Sequence, residues 1–396
     1  MTSNLTNAIA AVLLLGLVLY ALLGGADFGA GLWDLVAGGP QRGASARTVI
    51  EHAITPVWEA NHVWLVFDLV ILWTAFPSAF SAIMSTLFIP LVLALFGIVV
   101  RGAGFAYRKE VRALRARQVF GAGFAGASLI TPFFMGTVVG AIATGQVHAG
   151  HLGDLIASWT GPEPLLIGGL FVATCAFLSG VYLCTETKSQ RRPDLENYFV
   201  RRTLAAGLAG GMLALASLIE LHFVEPWLFN RLVGRSLGFV IASGACALAT
   251  QGLLLRGTSR FTRVLAGAAV TLMIWAWGFA QYPEVFPRTL SLSAASAPGS
   301  SIVALLAVFA IVAVFVIPSF VLLFLLAQRQ HLVEDERDVE GSDIVGLTPA
   351  LSDARLHTWL ARRLRPLDLA LAFLIGIGAG ISLGRERAAR RARRRP

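Results

Sequence analysis

The feature that most constrains this sequence is a series of nine apolar stretches, each long enough to cross a membrane. A bilayer core of about 30 Å needs roughly 20 apolar residues in a helix. Backbone polar groups inside lipid must be satisfied within the spanning segment, and the alternation typical of β-barrel strands is missing from these stretches. We therefore expect transmembrane helices over residues 7–31, 56–76, 79–100, 118–143, 164–185, 203–223, 234–255, 262–281 and 301–327.

The composition supports this class. Hydrophobic residues make up 56% of the chain and charged residues only 14%, whereas soluble domains carry about 25% charged residues. The sequence therefore predicts an all-α polytopic membrane protein with a transmembrane domain over residues 1–327. Gly25 and Gly29 recur four residues apart in the first helix, a spacing of small residues that lets two helices pack closely.

Basic residues in the loops predict the orientation of the chain in the membrane. Connections on the cytoplasmic side are enriched in Lys and Arg. Three basic residues lie after even-numbered helices, namely Arg231, Arg235 and Arg288. Sixteen follow helices 1, 3, 5 and 7: Arg42, Arg47, Arg101, Arg108, Lys109, Arg112, Arg115, Arg117, Lys188, Arg191, Arg192, Arg201, Arg202, Arg256, Arg260 and Arg263. The N-terminus is therefore expected outside, and the tail after helix 9 in the cytoplasm.

The tail over residues 328–396 combines a polar linker, an apolar segment over residues 367–384 and an Arg-rich end. If residues 367–384 crossed the membrane, the terminal arginines would lie outside, against the charge rule. We therefore expect a non-spanning segment at the interface or docked on the protein. A basic tail beside a membrane is more often an orienting signal or a contact with anionic lipid than a nucleic-acid site, so no nucleic-acid partner is expected.

Ionisable residues inside spans are candidates for function because placing them in lipid costs several kcal/mol unless they are paired or hydrated. Asp27 in helix 1 and Glu59 in helix 2 are expected at similar depth near the cytoplasmic ends of antiparallel neighbours. His62 follows one helical turn after Glu59. These groups suit proton uptake, since each can accept and release a proton. The alternative for Asp27 is a structural ion pair with Arg101.

Asp68 is a weaker candidate for the same path. It lies nine residues beyond Glu59, about 13 Å deeper and rotated by half a turn. It could continue a proton path or be a buried partner at a helix interface. His62 is the one histidine expected well within a span, and no second buried histidine offers an opposite axial ligand. We therefore expect no haem and no metal in this chain.

Several motifs in these segments resemble one known family. The sequence is similar, in order and spacing, to subunit II of cytochrome bd-type quinol oxidases. The most specific motifs are GGADFGAGLWD (24–34), VWEANHVWL (57–65), AFP (75–77) and RGAGFAYR (101–108), with weaker matches at GVYLCTET (180–187) and AQYPEVFP (280–287). The motif VWEANHVWL places Trp58, Asn61 and Trp64 beside Glu59. These three residues are expected to support the site. Glu59 matches the acidic position that the family is proposed to use for proton entry.

The resemblance also implies an assembly. It implies two four-helix bundles plus a ninth, peripheral helix, paired with a larger subunit I in the bacterial cytoplasmic (inner) membrane. Subunit I would hold two b-type haems, a d-type or third b-type haem, and the quinol site. Subunit II would be haem-free, support the complex and contribute cytoplasmic proton uptake. A small single-span accessory subunit, membrane lipids, and a structural quinone or lipid inside this subunit are further expectations.

Two other functions fit the buried acids. A secondary transporter would use them to bind a coupled cation, and would need interrupted helices around a site at mid-membrane. Pro90 and Pro318 are the interruptions expected within the spans, and the acids cluster near one face instead. A purely structural partner subunit would differ from the main interpretation only in that Glu59 would not move protons.

Overall fold

The fold is taken from a computed structural model. It describes residues 2–39, 43–54, 58–110, 114–257, 260–315, 318, 319 and 322, without the side chains of residues 2–3, 52–54, 58–61, 108–110, 114, 115, 117 and 260. The predicted tail segment 367–384, the rest of residues 328–396 and the end of the predicted helix 301–327 lie outside the described residues.

The described chain is almost entirely helical. Its elements are α1 (Thr2–Leu35), α2 (Ala44–Ile54), α3 (Trp58–Ala75), α4 (Pro77–Thr86), α5 (Phe88–Glu110), α6 (Leu114–Ala143), α7 (Ala157–Thr160), α8 (Pro162–Ser189), α9 (Pro193–Val224), α10 (Pro226–Val233), α11 (Leu237–Arg256), α12 (Arg260–Gln281), β1 (Glu284–Phe286), β2 (Leu290–Ser291), α13 (Leu292–Ala295) and α14 (Gly299–Phe315). The two short strands form an antiparallel pair.

Seven of the described helices are long and apolar enough to cross a membrane, and an eighth span results if α3 and α4 are counted together. The described part of α14 is apolar but shorter. The all-helical, multi-span class predicted from the sequence is therefore confirmed. The nine-helix arrangement of two four-helix bundles and one peripheral helix stays a prediction.

The expected helix over residues 79–100 differs in the structure. The chain bends by 118° between α3 and α4, and a second break at Leu87 separates α4 from α5. Pro77 is the cause of the first break, because a proline disfavours helical backbone in the residue before it, here Phe76. Pro90 does not interrupt a span, since it lies in the first turn of α5, where a missing N–H costs little.

Two further positions differ from the sequence-based expectation. Arg101 is not in the loop after a helix but inside α5, where it is buried. Pro132, which was not counted among the interruptions, lies inside α6, and α6 continues through it as a single helix. The last turns of α5, α8 and α11 meet the end of α1 in one buried cluster that includes Ala37, Phe105, Leu183 and Leu254. This end of the molecule is called here the basic end.

Helices α1 and α8 form the centre of the described fold. Helix α1 packs against α3, α6, α8 and α12, and α8 also packs against α6 and α9. The contact between α1 and α8 depends on Gly29, because a Cβ there would overlap the carbonyl oxygen of Cys175 and lie 2.7 Å from the Ser179 Cβ. The close packing predicted from Gly25 and Gly29 is present.

Candidate functional site

The most buried charged groups in α1 and α5 form one ion pair. The Arg101 guanidinium donates to both carboxylate oxygens of Asp27, at 2.7 Å each, and to the Asp27 carbonyl oxygen at 3.0 Å. The two side chains are only 3% and 4% exposed. This two-point geometry is the strongest form of an arginine–carboxylate pair. The structural pairing that was the alternative for Asp27 is therefore formed.

Neighbouring helices hold the guanidinium of Arg101 in place. Its Nε donates to the Ser128 hydroxyl of α6 at 3.0 Å, and that hydroxyl donates in turn to the Phe124 carbonyl. The rings of Phe28 and Phe124 lie 5.0 and 4.9 Å from the guanidinium carbon. Each nitrogen of the guanidinium thus has a hydrogen-bond partner and two aromatic rings lie near the cation, which compensates its removal from water.

His62 lies beside this ion pair. Its ring is 6.1 Å from the ring of Phe28, and its Nδ1 is buried with no hydrogen-bond partner among the described residues. A cavity of about 210 Å³ joins His62 to Arg101. The cavity is lined by His62, Ile98, Arg101, Gly102, Phe105 and Phe124. Because one water takes up about 30 Å³, the cavity has room for several waters between the imidazole and the guanidinium.

The remaining members of the predicted site are placed less completely. Glu59, Trp58 and Asn61 belong to the first turn of α3, but their side chains lie outside the described residues. Trp64 is half-buried, packs edge-on against Phe67 and contacts the apolar cluster around Phe28. The structure thus brings His62, Asp27 and Arg101 together and places the Glu59 backbone one turn before His62.

Asp68 occupies a separate position between α1 and α3. It is 6% exposed, and neither carboxylate oxygen has a hydrogen-bond partner among the described residues. A Cβ built on Gly16 of α1 would overlap its Oδ1. The missing side chain of Gly16 therefore provides the room for the Asp68 carboxyl. Of the two alternatives left open by the sequence, this geometry favours a buried group at a helix interface.

A substitution pair tests this packing. We expect Gly16→Ala to lower the free energy of unfolding by about 1–3 kcal/mol, because the new methyl group overpacks the interface. In the background of Asp68→Ala, which removes the overlapping carboxyl and leaves the Phe67 ring at 2.9 Å, Gly16→Ala should cost less. Thermal midpoints of the four proteins of this cycle measure the coupling. Equal costs of Gly16→Ala in both backgrounds would contradict the contact.

Two polar residues near the site were missed from the sequence. Tyr20 is 5% exposed, its hydroxyl donates to the Met135 sulfur at 3.5 Å, and it lies within electrostatic reach of both Asp27 and Asp68. Its spacing of seven residues from Asp27 places both on one face of α1, which was the available signal. Ser128 gave no signal, because a serine in an apolar helix is most often a packing residue.

Comparison with known proteins decides the family. The family model described as "Cytochrome bd terminal oxidase subunit II" matches residues 5–327. The chain belongs to this family. The resemblance predicted from the motifs is therefore confirmed, and the chain is a multi-pass membrane subunit of a cytochrome bd oxidase, an oxidoreductase complex.

Individual relatives agree with this membership. The chain is 26% identical over 288 residues to "Cytochrome bd ubiquinol oxidase subunit 2" of Bacillus subtilis, which covers 71% of this chain and 80% of the relative. It is 29% identical over 134 residues, 34% of each chain, to "Cytochrome bd-I ubiquinol oxidase subunit 2" of Escherichia coli. A chain of the bd oxidase from Geobacillus thermodenitrificans shares the fold, with a TM-score of 0.65 at 21% identity over 82% of this chain and 98% of that one.

Proposed function

We propose that this subunit II supports a haem-bearing subunit I in a quinol:oxygen oxidoreductase and supplies protons from the cytoplasmic side for reduction of oxygen to water. The observation that carries the proposal is the family match over residues 5–327, most of the described chain. The relatives in Bacillus subtilis and Escherichia coli are named as ubiquinol oxidase subunits, which supports a quinol as the electron donor of the complex.

Glu59 and His62 are the residues that we propose to move protons. Glu59 matches the family's acidic position, and His62 follows one turn later on α3. The imidazole borders the cavity of about 210 Å³, and its Nδ1 has no hydrogen-bond partner in the part of the chain that the structure describes. A proton accepted at Glu59 would pass to His62 and then to water in the cavity, each transfer occurring over one hydrogen bond.

Asp27 has a different role in this proposal. Both of its carboxylate oxygens already accept from Arg101 at 2.7 Å, so the carboxylate is engaged in a structural ion pair. The pair instead fixes a positive guanidinium at the wall of the cavity. Asp27 is therefore a positioning residue, and Asp68, next to Gly16 and away from the cavity, lies outside the path.

The haems and the quinol site belong to the partner subunit in this proposal. Subunit I would hold two b-type haems and a d-type or third b-type haem, together with the quinol site. The N-terminus would face outside and the basic end would face the cytoplasm of a bacterial inner membrane. A small single-span accessory subunit, and a quinone or lipid within this subunit, would complete the assembly.

The alternatives make different use of the same residues. A secondary transporter needs a broken helix beside its binding site, whereas the 118° bend at Phe76 lies at the end of α3 away from Glu59. A purely structural subunit would need neither the cavity nor the unused nitrogen of His62. The experiment on Glu59 distinguishes it from the proposal.

We expect Glu59→Gln to slow oxygen reduction by the assembled oxidase by about tenfold, because glutamine keeps the shape of the side chain but cannot carry a proton. The haem spectrum of the same preparation should stay unchanged, since Glu59 does not hold the fold together in this proposal. Quinol-dependent oxygen consumption per haem is the measurement.

Two controls accompany this variant. Glu59→Asp keeps the carboxyl and should retain much of the turnover. Glu51→Gln removes a negative charge from α2, at the same end of the molecule, and should leave turnover near that of the parent. Normal turnover in fully assembled Glu59→Gln oxidase would reject the proton path and leave subunit II a structural partner.

A further inference from the structure

We propose that a second site, at the end of the molecule opposite the basic end, binds a hydrated monovalent cation such as Na⁺ on the Glu163 carboxylate. The site is independent of the proton path, because Glu163 begins α8 whereas Asp27 and Arg101 lie toward the basic ends of α1 and α5. It requires no partner subunit, since every residue of the site belongs to this chain.

The site is a cavity of about 100 Å³ where four elements meet. The segment just after α6 contributes Thr144 and Gln146, α7 contributes Ser158, the start of α8 contributes Glu163, and the end of α9 contributes Val224. Its floor is buried, with Thr144, Ser158 and Glu163 at 6%, 2% and 2% exposure. Gln146 and Val224 at the rim are exposed. A small ion can therefore enter from solvent and reach a protected carboxylate.

The two carboxylate oxygens of Glu163 differ in their hydrogen bonding. Its Oε1 accepts from the Ser217 hydroxyl of α9 at 2.5 Å. Its Oε2 is buried and has no hydrogen-bond partner among the described residues. A buried acceptor without a partner costs about 1–3 kcal/mol, and more if it is charged. Glu163 lines the cavity, so a ligand bound there would lie beside this carboxylate.

The surrounding charges favour a cation over an anion. Glu220 lies three residues after Ser217 on α9, close enough for its charge to act on Glu163. Glu225, which is 3% exposed, follows Val224 and pairs with Arg288 at 2.8 Å, but its own Oε1 has no hydrogen-bond partner among the described residues. Arg231 and Arg235 at this end donate to the backbone carbonyl of Tyr282, so no arginine is bonded to Glu163 among the described residues and a cation can neutralise its charge.

Asp154 holds the turn before α7, which forms one wall of the cavity. The exposed carboxylate of Asp154 accepts from the backbone N–H groups of Ile156 and Ala157 at 2.8 and 2.7 Å. The hydrogen bond from Ala157, followed by that from Ile156, lowers the pKa of Asp154 below its usual value. The Asp154 carboxylate therefore keeps both hydrogen bonds at neutral pH, and they hold the turn that leads into the Ser158 side of the cavity.

The oxygens present select the class of cation. Calcium sites use six to eight oxygens, usually including several carboxylates, whereas this cavity offers one free carboxylate oxygen with neutral hydroxyl and amide oxygens. Its volume corresponds to about three water molecules. These dimensions suit a monovalent cation that keeps part of its hydration shell.

The test is equilibrium binding of ²²Na⁺ to the purified, assembled oxidase at constant ionic strength, with N-methyl-D-glucamine as the replacing cation. We expect saturable binding by the parent, and at least about tenfold weaker binding after Glu163→Gln, which keeps the hydrogen-bonding shape without the charge. Asp194→Asn, which removes one exposed negative charge at the other end of α9, should bind like the parent.

The thermal midpoint is a second measurement, which shows whether the Glu163→Gln variant is folded. The thermal midpoint of the parent should rise with NaCl but not with N-methyl-D-glucamine chloride, because a ligand of the folded state stabilises it. This dependence should vanish in Glu163→Gln. An absence of saturable ²²Na⁺ binding by the parent would overturn the proposal, as would binding that is equally strong in Glu163→Gln, whatever the result at Glu59.

Discussion

Replacing Arg101 by Leu is expected to lower the free energy of unfolding by about 3–5 kcal/mol, because it leaves the buried Asp27 carboxylate without its partner. Asp27 is 4% exposed as a side chain and receives both of its side-chain hydrogen bonds from this arginine. We expect most of the assembled oxidase to be lost. The yield of haem-containing complex and its unfolding in a denaturant titration are the measurements.

Two comparisons isolate the cause of this loss. Arg263→Leu removes an arginine from a bridge to Glu186 whose side chains are 39% and 38% exposed, and should cost no more than about 1 kcal/mol. The double variant Asp27→Leu with Arg101→Met replaces both charges by apolar groups and should recover much of the stability. A mild effect of Arg101→Leu alone would show that water reaches Asp27 from the neighbouring cavity.

Replacing Gly29 by Ala is expected to cost about 3 kcal/mol, which is large for the addition of one methyl group. The new Cβ would overlap the carbonyl oxygen of Cys175, and a backbone atom cannot move aside as a side-chain end can. Helix α1 would have to separate from α8 near Asp27, so poorer assembly should accompany the lower thermal midpoint.

Gly126→Ala is the matched control for Gly29→Ala. Gly126 also lies in a long helix, α6, but nothing lies within 4 Å of the position of its Cβ. Alanine there should be neutral or stabilise by about 0.5–1 kcal/mol, through its higher helix propensity. Similar behaviour of the two variants would contradict the close contact between α1 and α8.

Local chemistry explains what could be predicted from the sequence. A run of about 20 apolar residues has few alternatives to a helix in lipid, so the existence of the spans followed from hydropathy alone. The family followed from motifs whose order and spacing need no structure. The candidate groups Asp27, Glu59 and His62 followed from the cost of an ionisable side chain within a span.

The positions of breaks within the helices were harder to predict. Pro77 and Pro90 are both visible in the sequence, but only one of them causes a break. Pro90 lies in the first turn of α5, where it fits, and the bend occurs at Phe76 before Pro77. Hydropathy does not reveal this difference, because the effect of a proline depends on its position within a helix.

The sequence alone determined the class of the protein, its family and the set of charged residues that needed partners. Only the tertiary structure decided which partners they have. Asp27 and Arg101 are 74 residues apart in the chain, and the sequence left pairing and proton transfer as equal alternatives for Asp27. Glu163 and Ser217, 54 residues apart, gave no signal at all. Which charged residues meet depends on how the helices are rotated about their axes. Close contacts, such as that of Gly29 with α8 and that of Gly16 with Asp68, fix this rotation.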